Sequence, residues 1–331
     1  MEEHHSISDE IESQAFGKAG KAHISHPLVL PLAMRDLAGC FANQAVRVAG
    51  ATCPATTANS PGVLAESSPA YNTVTCLYKT VLSTKKELLT RIIWSKTHAG
   101  VSLFASVDSS SSPSSDAQKP QLLHKKKGTR SFAAGGGDSV AVLHWDISAA
   151  AYESGPEPAK GFYVAVVADG EFGLLLGDRL GVLFKNLGVD GPLPATADFA
   201  MVGRREQVRG TSVYSTRAEL EGDGKKHEIS IRWRGDESDA ADSGLQVAVD
   251  RKTLISVERL RWNFRGNQAI FVDGSTIDVM WDVHDWWFRG SSRCALFMFR
   301  ARRSLEQWLW LDEEEVGNGE RGFSLLIQAF N

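Results

Sequence analysis

The sequence predicts an all-β fold. The expected form is an antiparallel β-sandwich or barrel of two tandem related units, behind an N-terminal segment with the composition of a disordered extension. Three observations carry this. Short stretches alternate apolar and polar residues with period two between Gly, Pro, Asn and Asp clusters, which is the mark of half-buried strands. No stretch of helical length carries a 3.6-residue apolar period. The third observation is an internal echo. Thr75–Thr80 reads TCLYKT and Thr211–Thr216 reads TSVYST. Trp94 is matched by Trp233, Val107-Asp108 by Val249-Asp250, Lys127-Gly128 by Arg265-Gly266, Trp145-Asp146 by Trp281-Asp282, and Tyr163 by Phe297. The offsets are 136, 139, 142, 138, 136 and 134. Order is kept and only loop lengths change, as expected of one unit of about 100 residues present twice.

The elements follow in order. Residues 1–70 are rich in Ala, Ser, Thr, Pro and Gly with little periodicity, the composition of disorder. Residues 71–190 form the first unit and 197–331 the second, packed as one body. In the first, strands are expected at 73–82 and 86–95 around Ser83-Thr84-Lys85, and from Val101 to Val107. A low-complexity loop spans 109–120, Gly135-Gly136-Gly137 is a second loop, and a Gly- and Pro-containing loop covers 178–196. Ala165–Ala168 turns through Asp169-Gly170 into Phe172–Leu176. In the second unit, 211–219 and 226–234 join around Gly222-Asp223-Gly224. Leu245–Val249 turns through Asp250 into Thr253–Leu260, and Gln268–Val272 turns through Asp273-Gly274 into Thr276–Val283. Trp308–Leu311 and Phe323–Phe330 close the chain, with one helical turn at most at Ser304–Leu309. The total is twelve to fifteen short strands.

Composition bounds the function classes. Of 331 residues, 43% are hydrophobic and 23% charged, enough for a sizeable core. A net charge of −4 supplies no global field toward nucleic acid or an anionic membrane. The four cysteines, Cys40, Cys53, Cys76 and Cys294, show no C-x-x-C spacing and no His at zinc-ligand distance. Cys76 and Cys294 fall within strands, where a free thiol acts as a small hydrophobe. A reducing, intracellular setting is expected, cytoplasmic or nuclear. No apolar run reaches the length of about 18 residues that a membrane helix needs. Met1-Glu2-Glu3-His4-His5 is neither a signal nor a transit peptide. No metal and no cofactor are expected.

Three places could carry chemistry. Strand alternation puts Trp145 and Trp281 on an apolar face, with His144 and Asp146, or Asp282 and His284, on the opposite one. A carboxylate orienting an imidazole suits acid–base work. The blander reading is that the tryptophans anchor the core and the aspartates hold backbone amides at the strand ends. The second place is basic. Arg259, Arg261, Asn263 and Arg265 would share one strand face, opposite Leu260, Trp262 and Phe264, and Lys125-Lys126-Lys127 fills the matching stretch of the first unit. Such stripes suit anions or single-stranded nucleic acid, or simply a solvated outer face. The third is Trp286-Trp287-Phe288 at a strand end, where alternation cannot bury all three aromatics on one face. Glu157, in a rigid Pro-flanked turn, is one carboxylate without a partner. Asp312-Glu313-Glu314-Glu315 reads as a solvated turn.

Several longer motifs go together: Met34-Arg35-Asp36-Leu37 with Cys40-Phe41, Val74-Thr75-Cys76-Leu77-Tyr78, Lys125-Lys126-Lys127-Gly128, Tyr152-Glu153-Ser154-Gly155-Pro156-Glu157-Pro158, Gly161-Phe162-Tyr163, Ser212-Val213-Tyr214-Ser215-Thr216, Trp262-Asn263-Phe264-Arg265-Gly266-Asn267-Gln268, and Met280-Trp281-Asp282-Val283-His284-Asp285-Trp286. In these the chain, over residues 34–313, resembles the plant family named domain of unknown function 868. The resemblance implies a plant origin and supplies no activity and no catalytic residues. Its members begin near the Met34-Arg35-Asp36 run, so residues 1–33 read as an extension or an alternative start.

The leading expectation is a non-enzymatic binding or scaffold protein. It would recognise a protein or small ligand through Arg259, Arg261, Arg265, Trp286, Trp287 and Phe288. The alternatives are a hydrolase-like or sugar-active enzyme using Asp282, His284, Asp146 and His144, and a weak anion or nucleic-acid binder. Where the two units differ is where a site is expected, and the second unit alone carries the Arg-Trp-Asn-Phe-Arg and Trp-Trp-Phe runs.

Overall fold

The structure, a computed structural model, describes residues 72–109, 119–133, 140–188, 194–209, 212–220, 225–234, 243–288, 294–302 and 323–330. Outside them lie the N-terminal segment, most of the 109–120 loop, Gly135-Gly136-Gly137, the Gly222-Asp223-Gly224 turn, Ser304–Leu309, Trp308–Leu311 and Asp312–Glu315.

Most of the described chain is strand. In the first half, β1 (Asn72–Val81), β2 (Glu87–Thr97), β3 (Gly100–Ser109) and β4 (Gln121–Leu123) run as an antiparallel meander. Next come β5 (Lys127–Ala133), β6 (Val140–Asp146), the short pair β7 (Ala151–Tyr152) and β8 (Pro158–Lys160), β9 (Tyr163–Ala168) and β10 (Glu171–Gly177). A helix α1 (Leu180–Asn186) and a long strand β11 (Asp198–Arg209) lead into the second half. There β12 (Val213–Glu219), β13 (Lys226–Arg234), β14 (Gly244–Val249) and β15 (Lys252–Glu258) form a second meander. They are followed by β16 (Arg265–Val272), β17 (Ser275–Asp282), helix α2 (His284–Phe288), β18 (Cys294–Ala301) and β19 (Ser324–Phe330).

These strands make three main sheets. The largest is nine-stranded, in the order β16-β17-β18-β19-β11-β1-β2-β3-β4. Two four-stranded sheets have the orders β10-β9-β6-β5 and β12-β13-β14-β15. Among the described residues none closes on itself, so these sheets form no barrel. Pairing is antiparallel throughout these sheets except between β11 and β19.

Register shows how the layers pack. Glu206 on β11 stands opposite both Val74 on β1 and Ile327 on β19, so the three side chains share one face. Val74 belongs to the core of the first half, with Trp94, Leu103, Leu143, Trp145 and Val166. Ile327 belongs to the core of the second half, with Trp233, Val247, Val279, Trp281 and Phe297. Both four-stranded sheets therefore lie against the same face of the nine-stranded sheet, side by side. β11 sits in the middle and faces the seam between them.

Two expectations needed correction. The 178–196 stretch contains helix α1, whose Leu183 is buried and whose Phe184 ring lies 5.6 Å from Phe172 on the outer face of β10. Seven residues are too few to show a helical period. Strand β11 lies where the sequence analysis assigned no element, because three successive charges, Arg204-Arg205-Glu206, break the alternation of apolar and polar residues.

The register also refines the echo. Trp145 stands opposite Val164 and Trp281 opposite Phe297, so Val164 rather than Tyr163 takes the place of Phe297. With Trp94 and Trp233 superposed, Thr75, opposite Ile93, corresponds to Val213, opposite Arg232. The letters TCLYKT and TSVYST are thus two residues out of spatial step.

Candidate functional site

The Trp-Asp strands are built alike in the two halves. Trp145 and Trp281 are buried. Trp145 Nε1 donates to the Lys125 carbonyl at 2.8 Å, and Trp281 Nε1 to that of Asn263 at 3.0 Å. Gly128 stands opposite Trp145 and Gly266 opposite Trp281. A Cβ on Gly128 would lie 2.9 Å from the Trp145 ring, and one on Gly266 only 2.2 Å from that of Trp281. Each glycine is the floor on which an indole lies.

On the other face, Asp146 Oδ1 accepts from the Ser148 amide and hydroxyl, and its Oδ2 is 3.6 Å from Arg179. Against the upward push of burial, these partners hold the Asp146 carboxyl below its ordinary range. Asp282 Oδ1 accepts from the His284 amide at 3.0 Å, and Oδ2 from Arg265 Nε at 2.8 Å. The imidazoles look elsewhere. His144 Nδ1 lies 3.2 Å from Thr129 Oγ1, and His284 Nδ1 lies 3.0 Å from Asp285. Burial lowers the pKa of His144. Asp146 is on a four-stranded sheet and Asp282 on the nine-stranded one. Among the described residues no hydrogen bond joins either ring to the Asp two residues away.

The basic and aromatic candidates do come together. Residues 259–264 are a turn and not a strand, with Arg259 at φ 50° and its carbonyl accepting from the amides of Trp262 and Asn263. Alternation therefore fails across it. Leu260 is buried, Phe264 packs partly on the core, and Trp262 projects with 76% exposure. Arg259 is exposed, Arg261 is half-buried, and the Arg265 guanidinium lies 5.5 Å from the centre of the Phe264 ring.

Beside this turn, His284–Phe288 form a turn of helix instead of the expected strand end, so the three aromatics point in different directions. Trp286 meets Trp233 edge-on at 5.4 Å, and Trp287 packs on the same core with its Nε1 buried and unpartnered. Phe288 is 49% exposed and lies 5.7 Å from Phe264 and 5.0 Å from His284. Phe264, Arg265, His284 and Phe288 thus cluster on the second half, Trp262 and Arg259 are exposed on the adjoining turn, and Trp286 and Trp287 are partly buried against the core. Lys125, Lys126 and Lys127 are exposed on the first half, beside a shallow open cleft lined by Val101, Leu103 and Ile147.

Sequence reasoning missed two polar clusters. The first lies at the seam. Glu206, 1% exposed, accepts from Arg204 Nε, Tyr214 OH and Thr216 Oγ1. Arg204 also reaches Glu157 at 2.8 Å and Cys76 Sγ at 3.4 Å. Burial pushes the Cys76 thiol up to about 12, and burial followed by the Glu206 charge raises the Tyr214 phenol. Glu157 is therefore not a lone carboxylate. The available signal was three successive charges inside an otherwise strand-like run.

The second cluster closes one end of the second half. His227, 1% exposed, has Nδ1 at 2.7 Å from Asp250 and Nε2 at 3.8 Å from Asp273, which Lys225 also contacts. The His227 bond holds Asp250 below the usual carboxylate range, and the Lys225 bond does the same for Asp273. Among the described residues, no group of His, Cys, Asp or Glu is arranged to hold a metal ion, and no helix is long and apolar enough to cross a membrane.

A family model described as plant protein of unknown function (DUF868) matches residues 69–331. No curated protein and no solved structure matches the chain. The matched span takes in both halves, the seam and the aromatic patch. The chain belongs to the plant family of unknown function DUF868.

Proposed function

We propose that this is a non-enzymatic binding protein, and that its recognition surface is the turn 259–264 together with the end of α2. The observation that carries the reading is Trp262, 76% exposed on a turn whose neighbours are held rigid. Leu260 anchors the turn from within, and Asn263 Nδ2 donates to the Glu258 carbonyl at 2.9 Å. An exposed Trp on a turn that also carries Arg259 and leads into Phe264, which packs on Phe288, has the composition of a protein-recognition hot spot. It suits a partner segment that presents a carboxylate beside an apolar or flat group. The engagement of Asp146 and Asp282 in capping supports the binding reading over acid–base chemistry.

The two halves are two copies of one unit, at 71–190 and 197–331. Equal strand orders support this, as do the shared Gly–Trp pairs and the carbonyl three residues before each glycine that accepts from the indole. On that reading the shared residues are fold residues. The Trp262–Phe288 patch, present in one copy only, is where selection for binding would act. That Cys76 and Cys294, the cysteines among the described residues, are buried and not joined in a disulfide supports a reducing compartment, cytoplasmic or nuclear.

The test is proximity labelling in plant cells with the wild-type chain and with Trp262→Ala plus Phe288→Ala. Both proteins are to have the same melting temperature. Loss of specific neighbours from the variant supports the reading, and an unchanged set of neighbours overturns it.

A further inference from the structure

At one end the two halves differ, and the difference leaves an opening in the first. Strand register gives the match between them. Trp94 on β2 stands opposite Leu103 on β3, and Leu103 opposite Leu123 on β4. In the same way Trp233 on β13 stands opposite Leu245 on β14, and Leu245 opposite Val257 on β15. Further along, the Trp145 indole donates to the Lys125 carbonyl and the Trp281 indole to that of Asn263. One residue on, the Ile147 amide donates to the Lys126 carbonyl and the Val283 amide to that of Phe264. Between these fixed points the first half has His124 alone, and the second has residues 258–262. The match is one of register and needs no common ancestry.

The longer stretch supplies a plug. Leu260 is fully buried, in the same core cluster as Leu245 and Val283. Its amide donates to the Ser243 carbonyl at 3.0 Å. Ser243 precedes Leu245 by two residues, as Val101 precedes Leu103. At this place the first half has only the exposed His124. Val101, Leu103, Leu123 and Ile147, the counterparts of the residues around Leu260, line an open cleft of about 180 Å³ instead. An apolar cavity of about 150 Å³ holds a benzene ring, so one branched aliphatic side chain fits. The rim is cationic. Lys125 and Lys126 line the same cleft, are exposed, and have no ion-pair partner among the described residues.

We propose that this cleft is a docking site for a turn of a partner protein, one that presents a leucine-sized side chain between carboxylates. The partner's leucine takes the place in the first half that Leu260 takes in the second, and its carboxylates meet Lys125 and Lys126. Charge argues against a second copy of this chain as the occupant. The turn that presents Leu260 also carries Arg259 and Arg261, so it would bring cations to lysines, and it is already seated in its own half. The site is on the first half and does not depend on the Trp262 surface.

The test uses the full chain with isotope-labelled valine, leucine and isoleucine methyls. The probe is a short cyclic peptide with Asp-Leu-Asp at its turn. The methyl resonances of Val101, Leu103, Leu123 and Ile147 are expected to shift saturably, and those of Val247 and Val279 in the second core to stay in place. Lys125→Glu with Lys126→Glu should weaken binding about tenfold at an unchanged melting temperature. Replacing the peptide's leucine by alanine should abolish the shifts. No shift at the four cleft residues overturns the proposal. So does equal binding of the alanine peptide, or equal binding by the lysine variant. A stronger response of the same methyls to a single-stranded oligonucleotide overturns it as well, and gives the lysines to nucleic acid. The alanine peptide decides the matter on the wild-type chain even if the lysine variant misfolds.

Discussion

Gly266→Ala is the sharpest probe of how the second half is built. The added Cβ would lie 2.2 Å from Trp281 Cζ2, where ordinary contact begins near 3.4 Å. The indole must therefore withdraw by about 1.2 Å, the difference of those distances, or the strands must part. Neither is free. Trp281 is buried within the second core, and its Nε1 is tethered to the Asn263 carbonyl at 3.0 Å. Overpacking of this kind costs about 1–3 kcal/mol, and pulling a buried N–H from its acceptor about 1–3 kcal/mol more. The lower strand entropy cost of Ala returns roughly 0.5–1 kcal/mol. The expected net loss is about 3 kcal/mol. Gly128→Ala meets Trp145 at 2.9 Å, a displacement of about 0.5 Å, and should cost about 1 kcal/mol. Urea unfolding followed by tryptophan fluorescence and circular dichroism measures both. In a Trp281→Phe background the clashing ring is gone, and Gly266→Ala should cost under about 1 kcal/mol. Equal losses at the two glycines, or an undiminished loss in the Trp281→Phe background, would refute the reasoning.

Other outcomes follow from the same geometry. Trp262→Ala should leave stability within about 0.5 kcal/mol, while Trp286→Ala, which removes a partly buried ring against Trp233, should cost about 1–3 kcal/mol. Thermal melts of the pair check this, and similar melting temperatures would contradict it. Glu206→Ala strands Tyr214 and one side of Arg204 and should cost about 3–5 kcal/mol in urea; a loss under about 1 kcal/mol would show the seam to be wet. Asp146, Asp250 and Asp273 are all held below the ordinary carboxylate range. Their contribution is complete above the unfolded value of about 3.9 and is lost as pH falls through the lower folded values. Urea midpoints at stepped pH should thus change little on their account from pH 7 to 5 and fall below about pH 4. Asp146→Asn should shrink that fall.

How much of this was legible depends on what each residue faces. β13 was expected at 226–234 and is found at Lys226–Arg234, because its buried Ile229, Ile231 and Trp233 alternate with partly or fully exposed residues. β11 failed the same test from the other side. It is the central strand of the largest sheet, with β1 and β19 on its flanks, yet it carries Arg204, Arg205 and Glu206 in succession. All three are buried, with Arg204 and Glu206 meeting the seam and Arg205 bonded to Gln328 on the opposite face. A period-two rule reads charge as solvent. It cannot see that the partners of these charges arrive from residues more than a hundred positions away, or from the next half.

The patch shows the same limit at short range. The run Arg259–Arg265 has flawless alternation, and on a strand it would hide Trp262 beside Leu260 and Phe264. A single left-handed residue, Arg259 at φ 50°, ends the strand and reverses that outcome. Side-chain period is a property of a continuing strand, so one turn residue cancels every orientation inferred downstream of it. Trp286 and Trp287 were misplaced for the complementary reason. Three aromatics in a row cannot share a strand face, but a helical turn rotates about 100° per residue and lets two of them pack, partly buried, against the core. Trp262 and Phe288 are exposed on the second half, in the two runs that the sequence comparison of the halves marks as having no counterpart in the first. Residues common to both halves are held there by glycine floors and indole bonds that the fold itself requires. Trp262 has no such duty, which is why the proposed binding role is to be tested there and not at the tryptophans shared by the two halves.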